Sequence, residues 1–167
     1  MKASKRYRLS KKETKKFLSE VSQLYPSLQL GKANIEYALV GDTEIYIIDG
    51  MPAFFRDPKG RLVPVLIYLI KRRSVDWLPR VVVDRGATKA VSRGADLMVP
   101  GIRSLDDFEA GSIVVVIDED TGVAVAVGEA LMSSEEIREK LSGERRGKAV
   151  KIIHRPGDRV WEAAKAI

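Results

Sequence analysis

Apolar residues near the start of the chain recur with the spacing of an amphipathic helix. The positions that share one helical face are Phe17, Val21, Leu24 and Leu28. Ser10 followed by Glu13 is typical of a capping box, in which the hydroxyl and the carboxylate each accept a hydrogen bond from a backbone N–H at the helix start. Because Pro26 cannot continue a helix and restricts the residue before it, we expect the helix to end near Tyr25.

The pattern changes to short strands over residues 33–56. Apolar residues alternate there with polar or smaller ones, as in strands that are buried on one face. The turns between successive strands are placed at Gly41-Asp42 and Asp49-Gly50. The apolar run from Leu62 to Arg73 fits either a short buried helix with Pro64 near its start or a strand, and periodicity leaves both interpretations open.

Beyond a junction at Val75–Pro79, short runs rich in Val and Ile follow one another at near-regular spacing. Gly and Asp separate these runs, which favours a small closed barrel over a parallel sheet. The tripeptide at 120–122 is typical of a hairpin turn, and a second helix cap follows at Ser133. We therefore expect an α+β protein: residues 1–77 form an α/β domain, and residues 78–167 form a pseudo-barrel of short mixed strands.

Positive charge is concentrated at the N-terminus. The 167 residues carry 29 Lys and Arg against 23 Asp and Glu, a net charge of +6. Residues 1–16 contain eight basic side chains and one acid, so the other 151 residues hold 21 basic and 22 acidic groups. A cluster this dense suits a phosphate backbone. The residues expected to make auxiliary phosphate contacts are Lys5, Arg6, Arg8, Lys11, Lys12, Lys15 and Lys16.

The absence of cysteine and the single histidine, His154, exclude several chemistries. Disulfides, a thiolate nucleophile and cysteine-containing zinc sites cannot form, although a magnesium site made only of Asp and Glu stays open on composition alone. No apolar run reaches the length of about 18 residues that a membrane span needs, and the basic N-terminus lacks the apolar segment of a secretory signal. We expect a cytoplasmic protein with no membrane association, no catalytic residue, no bound metal and no cofactor.

Residues 83–102 combine a short basic helix with small residues. Asp84 is placed to cap a helix over about residues 86–93, and a glycine follows where a left-handed residue is common. Three cations spaced by four residues would lie along one side of that helix: Arg85, Lys89 and Arg93. The small residues at 94–95 and 100–101 allow another backbone, such as that of RNA, to approach closely.

This segment, VDRGATKAVSRGADLMVPGI, resembles the opening of a PUA domain, a small RNA-binding pseudo-barrel. The resemblance extends over about residues 79–161, through the run 111–117, the VAVAVG strand and a terminal strand that carries His154, Asp158 and Trp161. In the first half, FFRDPKG and the proline-bearing apolar segment before LP resemble the malignant T-cell amplified sequence family and its archaeal relatives, which join a pre-PUA domain to a PUA domain.

The resemblance implies an RNA-binding protein of translation that has no enzymatic activity. Eukaryotic members of that family pair with density-regulated protein and act on tRNA at the small ribosomal subunit during initiation and recycling. The implied partners are therefore the tRNA 3′ end or ribosomal RNA, the small ribosomal subunit and a protein similar to density-regulated protein.

The resemblance also places an RNA groove along the first PUA helix, the strand after it and the last strand. Phosphate contacts are implied for Lys89 and Arg93, with Arg85 joining them from the helix start. The residues that would line the surface against a sugar edge or a terminal base are Gly94, Ala95, Leu97, Met98, Pro100 and Gly101. From the last strand, His154 and Arg155 would reach the same groove.

Two other functions fit parts of the sequence. An RNA-modification enzyme, or its targeting subunit, would place catalysis in residues 1–77, although that half contains neither Cys nor His and no glycine-rich cofactor loop. A protein-interaction adaptor would use an exposed aromatic patch in the N-terminal domain, although core packing accounts better for most of its candidate residues. The candidates for that patch are Tyr46, Phe54, Phe55 and Trp77.

Overall fold

Two compact units make up the chain, and each is built on its own sheet. The computed structural model describes residues 1–72 and 75–167. Residues 1–77 together with 157–167 form the first unit, and residues 78–156 form the second. Residues 157–167, which the sequence pattern places in the second domain, therefore pack with the first unit.

The first unit is a five-stranded antiparallel sheet with three helices. Its strands are hydrogen-bonded in the order β1 (Lys5–Arg8), β2 (Ile35–Val40), β3 (Thr43–Ile48), β4 (Met51–Arg56) and β5 (Leu62–Pro64). Its helices are α1 (Lys11–Leu24), α2 (Leu66–Arg72) and α5 (Arg159–Lys165). Aromatic packing fills its core, where the fully buried Phe54 contacts Tyr25, Tyr68 and Trp77.

Helix α1 begins as its capping sequence predicts. The Ser10 N–H donates to Glu13 Oε1 over 2.9 Å, and the Glu13 N–H donates to Ser10 Oγ over 3.1 Å. The helix ends at Leu24, two residues before the proline expected to stop it. Leu24 is exposed and Leu28 lies beyond the helix, so the buried helical face is shorter than the apolar spacing predicts.

Three elements differ from the predicted ones. The apolar run that begins at Leu62 forms β5 and then α2, and Arg73 at its end lies outside the described residues. Strand β1 was not predicted because all four of its side chains are exposed and it exists through antiparallel pairing with β2. The predicted terminal strand is wrong beyond His154, since Asp158 instead caps α5 by accepting a hydrogen bond of 2.8 Å from the Trp161 N–H.

The second unit is a six-stranded mixed sheet. Its strands lie in the order β7 (Leu97–Met98), β11 (Lys148–His154), β10 (Ala124–Ala130), β9 (Ile113–Asp118), β6 (Arg80–Val83) and β8 (Ile102–Leu105). The pairing is antiparallel except between β6 and β9. The remaining elements are α3 (Arg85–Ser92), a 3-10 turn (Val99–Gly101) and α4 (Ser134–Ser142). The α+β class and the pseudo-barrel of short mixed strands are confirmed.

Local signals in the second half also match the structure. The predicted turn at 120–122 joins β9 to β10 as a hairpin. Ser133 caps α4, because its hydroxyl oxygen accepts a hydrogen bond of 3.2 Å from the Glu136 N–H. Within the two described ranges, no helix is both long enough and apolar enough to cross a membrane.

Candidate nucleic-acid interface

Helix α3 forms one side of the candidate surface, and its two ends are fixed by local chemistry. The Ala87 N–H donates to Asp84 Oδ1 over 2.8 Å, so the predicted N-cap is present. Gly94 follows the helix with a φ of +97°, a conformation that residues with a side chain rarely adopt. A Cβ at Gly94 would lie 2.8 Å from Nε of Arg155, so this glycine also makes room for an arginine that follows β11.

A cleft of about 190 Å³ opens between α3 and β7. Its lining is apolar apart from one carboxylate, and consists of Ala87, Ala90, Val91, Asp96, Leu97, Met98 and Gly101. A Cβ at Gly101 would lie 2.5 Å from Cβ of Ala87, so a larger residue there would push α3 away from the 3-10 turn. An apolar cleft of this size suits a sugar edge or the face of one base.

Two cations beside the cleft are available to bind anions. Lys89 and Arg93 are exposed, and neither forms an ion pair with another described residue. Arg85 is exposed as well, but its Nη2 lies 3.3 Å from Oδ2 of Asp120. Because an exposed pair of this kind contributes little stability, Arg85 can exchange its partner for a phosphate. The three cations lie along one side of α3, as predicted from their spacing.

Some residues predicted to line the groove do not reach the surface with their side chains. His154 is 0% exposed and Leu97 is 1% exposed, so His154 is left out of the interface and Leu97 forms only the floor of the cleft. Met98 is 45% exposed, whereas the other large apolar side chains of the lining, Val91 and Leu97, are buried. Ala95 precedes β7 and Pro100 follows it, and both are exposed. Arg155 is half-buried, and its Nη1 donates a hydrogen bond of 3.2 Å to the carbonyl oxygen of Pro156.

Asp96 is a positioning residue that the sequence pattern missed. Its Oδ1 accepts a hydrogen bond of 3.0 Å from the Ile152 N–H, and its Oδ2 lies 3.6 Å from Nζ of Lys148. Both contacts tie the segment after α3 to β11. No local pattern could reveal them, because Ile152 lies 56 residues further along the chain.

A second carboxylate, Asp118, fixes α3 against the β9–β10 hairpin. Its Oδ1 accepts a hydrogen bond of 2.7 Å from the Thr88 hydroxyl, and its Oδ2 accepts from the Thr121 hydroxyl over 2.9 Å and the Thr121 N–H over 3.0 Å. These donated hydrogen bonds, that of Thr88 first, hold the pKa of Asp118 below its usual value. Among the described residues, no group of three acidic or histidine side chains is arranged to hold a metal ion.

Comparisons with known proteins cover both units. The PUA domain family matches residues 79–156, and a domain of unknown function, DUF1947, matches residues 5–72. An uncharacterized protein of Methanocaldococcus jannaschii is 38% identical over 96% of this chain and 98% of its own length. Translation machinery-associated protein 20 of Saccharomyces cerevisiae is 32% identical over 90% of this chain and 81% of its own length. The chain belongs to the family of translation machinery-associated protein 20.

The family also includes human malignant T-cell-amplified sequence 2, which is 37% identical over 71% of this chain and 65% of its own length. The resemblance inferred from the sequence is therefore confirmed. Among solved structures, a PUA domain protein of Aeropyrum pernix in complex with tartrate is 32% identical, with a TM-score of 0.89 over 99% of this chain and 97% of its own. A hypothetical protein of Pyrococcus horikoshii is 35% identical, with a TM-score of 0.79 over 96% of this chain and 99% of its own.

The aromatic patch expected for an adaptor is not formed in the first unit. Phe54, Phe55 and Trp77 are 0%, 3% and 6% exposed and belong to the core. Tyr46 is half-buried, with its ring stacked on that of Phe17 at a centroid distance of 4.8 Å. Three of the four candidates are therefore core residues, and the adaptor alternative lacks the exposed patch that it would use.

The cations predicted to make auxiliary phosphate contacts lie on different sides of the first unit. Because side chains alternate along a strand, Lys5 is on one face of β1, while Arg6 and Arg8 are on the other. Arg6 is paired with Glu36, its Nε lying 3.1 Å from Oε1. The lysines of α1 are exposed: Lys11, Lys12, Lys15 and Lys16. The N-terminal charge is thus spread around a strand and a helix rather than gathered on one surface.

Proposed function

We propose that this protein is an RNA-binding protein of translation, without catalytic activity, that holds tRNA or ribosomal RNA in the cleft beside α3. The observation that carries the proposal is the combination of Lys89 and Arg93, exposed and unpaired among the described residues, with a cleft whose lining is apolar apart from Asp96. The family membership supports the working context, because one relative is named for its association with the translation machinery.

The two parts of the site match two parts of an RNA end. Phosphates carry the charge that Lys89 and Arg93 can neutralise, and Arg85 can join them by leaving Asp120. An unpaired terminal nucleotide offers a flat base and a sugar edge with hydroxyl groups, which fit against small residues and the exposed Met98. The tRNA 3′ end has both features, and an unpaired segment of ribosomal RNA has them too.

The family resemblance also implies protein and ribosomal partners. The protein would work in the cytoplasm at the small ribosomal subunit, together with a protein similar to density-regulated protein. Co-sedimentation with purified small subunits, with and without tRNA, tests this part separately from RNA binding. Absence of the protein from the subunit fraction in both conditions would contradict the ribosomal context without contradicting the proposed RNA site.

Binding of labelled tRNA by fluorescence anisotropy at several salt concentrations tests the RNA site. The Lys89→Ala/Arg93→Ala variant should bind about tenfold more weakly, and the slope of log affinity against log salt should fall by about 1.4–1.8 because two phosphates are no longer neutralised. Lys32→Ala/Arg159→Ala removes the same charge from exposed positions outside the cleft and serves as the control. Equal affinity and equal slope for the two variants would contradict the proposed site.

A further inference from the structure

Three tyrosines form a row across the sheet of the first unit. Tyr7 on β1 lies directly opposite Tyr37 on β2, and Tyr37 lies directly opposite Tyr46 on β3. The ring centroids are 5.4 Å apart for Tyr7 and Tyr37 and 5.6 Å apart for Tyr37 and Tyr46. In the next strand, Phe54 lies opposite Tyr46 and continues the row into the core.

Helix α1 covers only one end of this row. Phe17 of α1 packs on Tyr46 and Phe54, with centroid distances of 4.8 and 6.1 Å. Exposure therefore rises along the row, from 0% for Phe54, through the half-buried Tyr46 and Tyr37, to 44% for Tyr7. The uncovered end borders a cleft of about 360 Å³ between α1 and the edge of the sheet.

The carboxylates of this cleft are already engaged, whereas its lysines are not. Glu13 closes the capping box, Glu20 binds Arg56, and Glu44 accepts a hydrogen bond of 2.8 Å from the Tyr37 hydroxyl. Lys5 and Lys16 also line the cleft, and neither forms an ion pair with another described residue. The three cations and three carboxylates of the lining balance one another, and Lys5 and Lys16 are the cations whose ammonium groups are available to contact a phosphate.

Protection of the sheet edge explains part of this arrangement but not all of it. Charged side chains on an edge strand discourage pairing with other chains, and Arg6 and Arg8 serve that purpose on the far face of β1. Edge protection does not require tyrosine rings in a cleft that two lysines also line. Rings with an open face next to free cations are instead the arrangement by which proteins bind single-stranded nucleic acid, with bases stacked on the rings and phosphates held by the cations.

We propose that this cleft is a second RNA site, in which an unpaired nucleotide stacks on Tyr7 and its flanking phosphates contact Lys5 and Lys16. The inference rests on the proposed RNA-binding function and adds a site in the other unit. It assigns the occupant as single-stranded RNA, because a base inside a duplex has no face available for stacking. Lys5 and Lys16 then contact specific phosphates, in addition to the general electrostatic attraction of the N-terminal cations for RNA.

The test uses the full chain and a labelled short oligouridine, with an RNA duplex of the same length as a second probe. Tyr7→Ala should weaken oligouridine binding about five- to a hundredfold, the cost of losing one base–aromatic stack, and leave duplex binding unchanged. Tyr7→Phe keeps the ring and should bind within about twofold of the original chain. Circular dichroism melting of each variant shows whether the unit remains folded.

A charge-matched pair separates the cleft from general attraction. Lys5→Ala/Lys16→Ala should weaken oligouridine binding more than Lys2→Ala/Lys15→Ala, which removes the same charge from exposed positions that do not line the cleft. Equal effects of the two pairs, or unchanged binding by a folded Tyr7→Ala variant, would overturn the second site. Such a result leaves the cleft beside α3 intact, because Lys89→Ala/Arg93→Ala tests that cleft independently with tRNA.

Discussion

Close packing around Gly101 determines the shape of the cleft beside α3. The nearest atom to a Cβ at this position would be Cβ of Ala87, only 2.5 Å away. A contact that short does not occur between real Cβ atoms, so either α3 or the 3-10 turn would have to move. Because Ala87 and Gly101 both line the cleft, the movement would change the surface proposed to hold RNA.

Gly101→Ala is therefore expected to lower the unfolding free energy by about 1–3 kcal/mol, as overpacking usually does, and to weaken tRNA binding. Urea unfolding and fluorescence anisotropy measure the two effects. Gly86→Ala is the matched control: its Cβ would meet Asp84 Oδ1 at an ordinary 3.5 Å, and alanine favours the helix by up to about 1 kcal/mol. If Gly101→Ala bound tRNA as tightly as Gly86→Ala, tRNA binding would not depend on the close packing of Gly101 against Ala87.

At the scale of single residues, the sequence predicted the exposure of some candidate residues and not the burial of others. Lys89 and Arg93 were predicted correctly as exposed cations, because their spacing on a capped helix fixes the side on which they lie. The family resemblance assigned Leu97 and His154 to the groove, but both are buried, and the alternation of a short strand does not say which face meets the core. The role of Asp96 depends on a partner in a distant strand and has no local signal.

Among the secondary-structure elements, those with strong local chemistry were predicted and those that depend on tertiary pairing were not. Capping residues placed the start of α1 and α3, and turn residues placed the β9–β10 hairpin. Strand β1 carries no apolar alternation and is held by its partner β2. Helix α5 spans only seven residues, too few for a periodic pattern to distinguish it from a strand.

The contact between α3 and the β9–β10 hairpin should make stability depend on pH. Thr88→Val removes the hydrogen bond that contributes most to the low pKa of Asp118, so that pKa should rise toward its ordinary value. A carboxyl group whose pKa is lower in the folded state than in the unfolded state stabilises the folded state fully at pH values above the unfolded pKa of about 4. This stabilisation is lost as the pH falls through the folded-state pKa. The variant should therefore be less stable than the original chain at neutral pH, and the difference should disappear in acid.

Carboxyl NMR titration of Asp118 and urea unfolding over a range of pH measure the two parts of this prediction. Thr88→Ser keeps the hydroxyl and should restore both the low pKa and the pH dependence. A stability difference of the same size at neutral and acid pH would show that Thr88→Val acts through packing, and that the hydrogen bond to Asp118 does not secure α3.

Over the whole molecule, charge is divided unequally between the two units. Residues 1–77 with 157–167 hold 17 basic and 10 acidic groups, whereas residues 78–156 hold 12 and 13. The second unit is thus nearly neutral, and two of its exposed cations without an ion pair among the described residues, Lys89 and Arg93, lie on the helix that borders the cleft. Selectivity for an RNA end is expected to come from that unit, while the first unit supplies most of the salt-sensitive attraction.

Removing charge from the two units should therefore have different effects. Lys11→Ala/Lys12→Ala/Lys15→Ala should weaken binding of all RNAs alike and reduce the salt slope by about 0.7–0.9 for each phosphate that is no longer neutralised. It should leave unchanged the ratio of affinities for tRNA with and without its unpaired 3′ nucleotides. Lys89→Ala/Arg93→Ala should lower that ratio, because its cations lie beside the cleft proposed to hold the terminal nucleotide.

Anisotropy titrations of the two tRNA forms over a salt series measure both quantities for every variant. Lys32→Ala/Arg159→Ala/Lys165→Ala removes as much charge from other exposed positions of the first unit and controls for net charge. If the Lys11, Lys12 and Lys15 variant lost the preference for the complete 3′ end, selectivity would reside in the first unit. If its salt slope matched that of the control, the N-terminal lysines would attract RNA only through net charge, and direct phosphate contacts by Lys11, Lys12 and Lys15 would be contradicted.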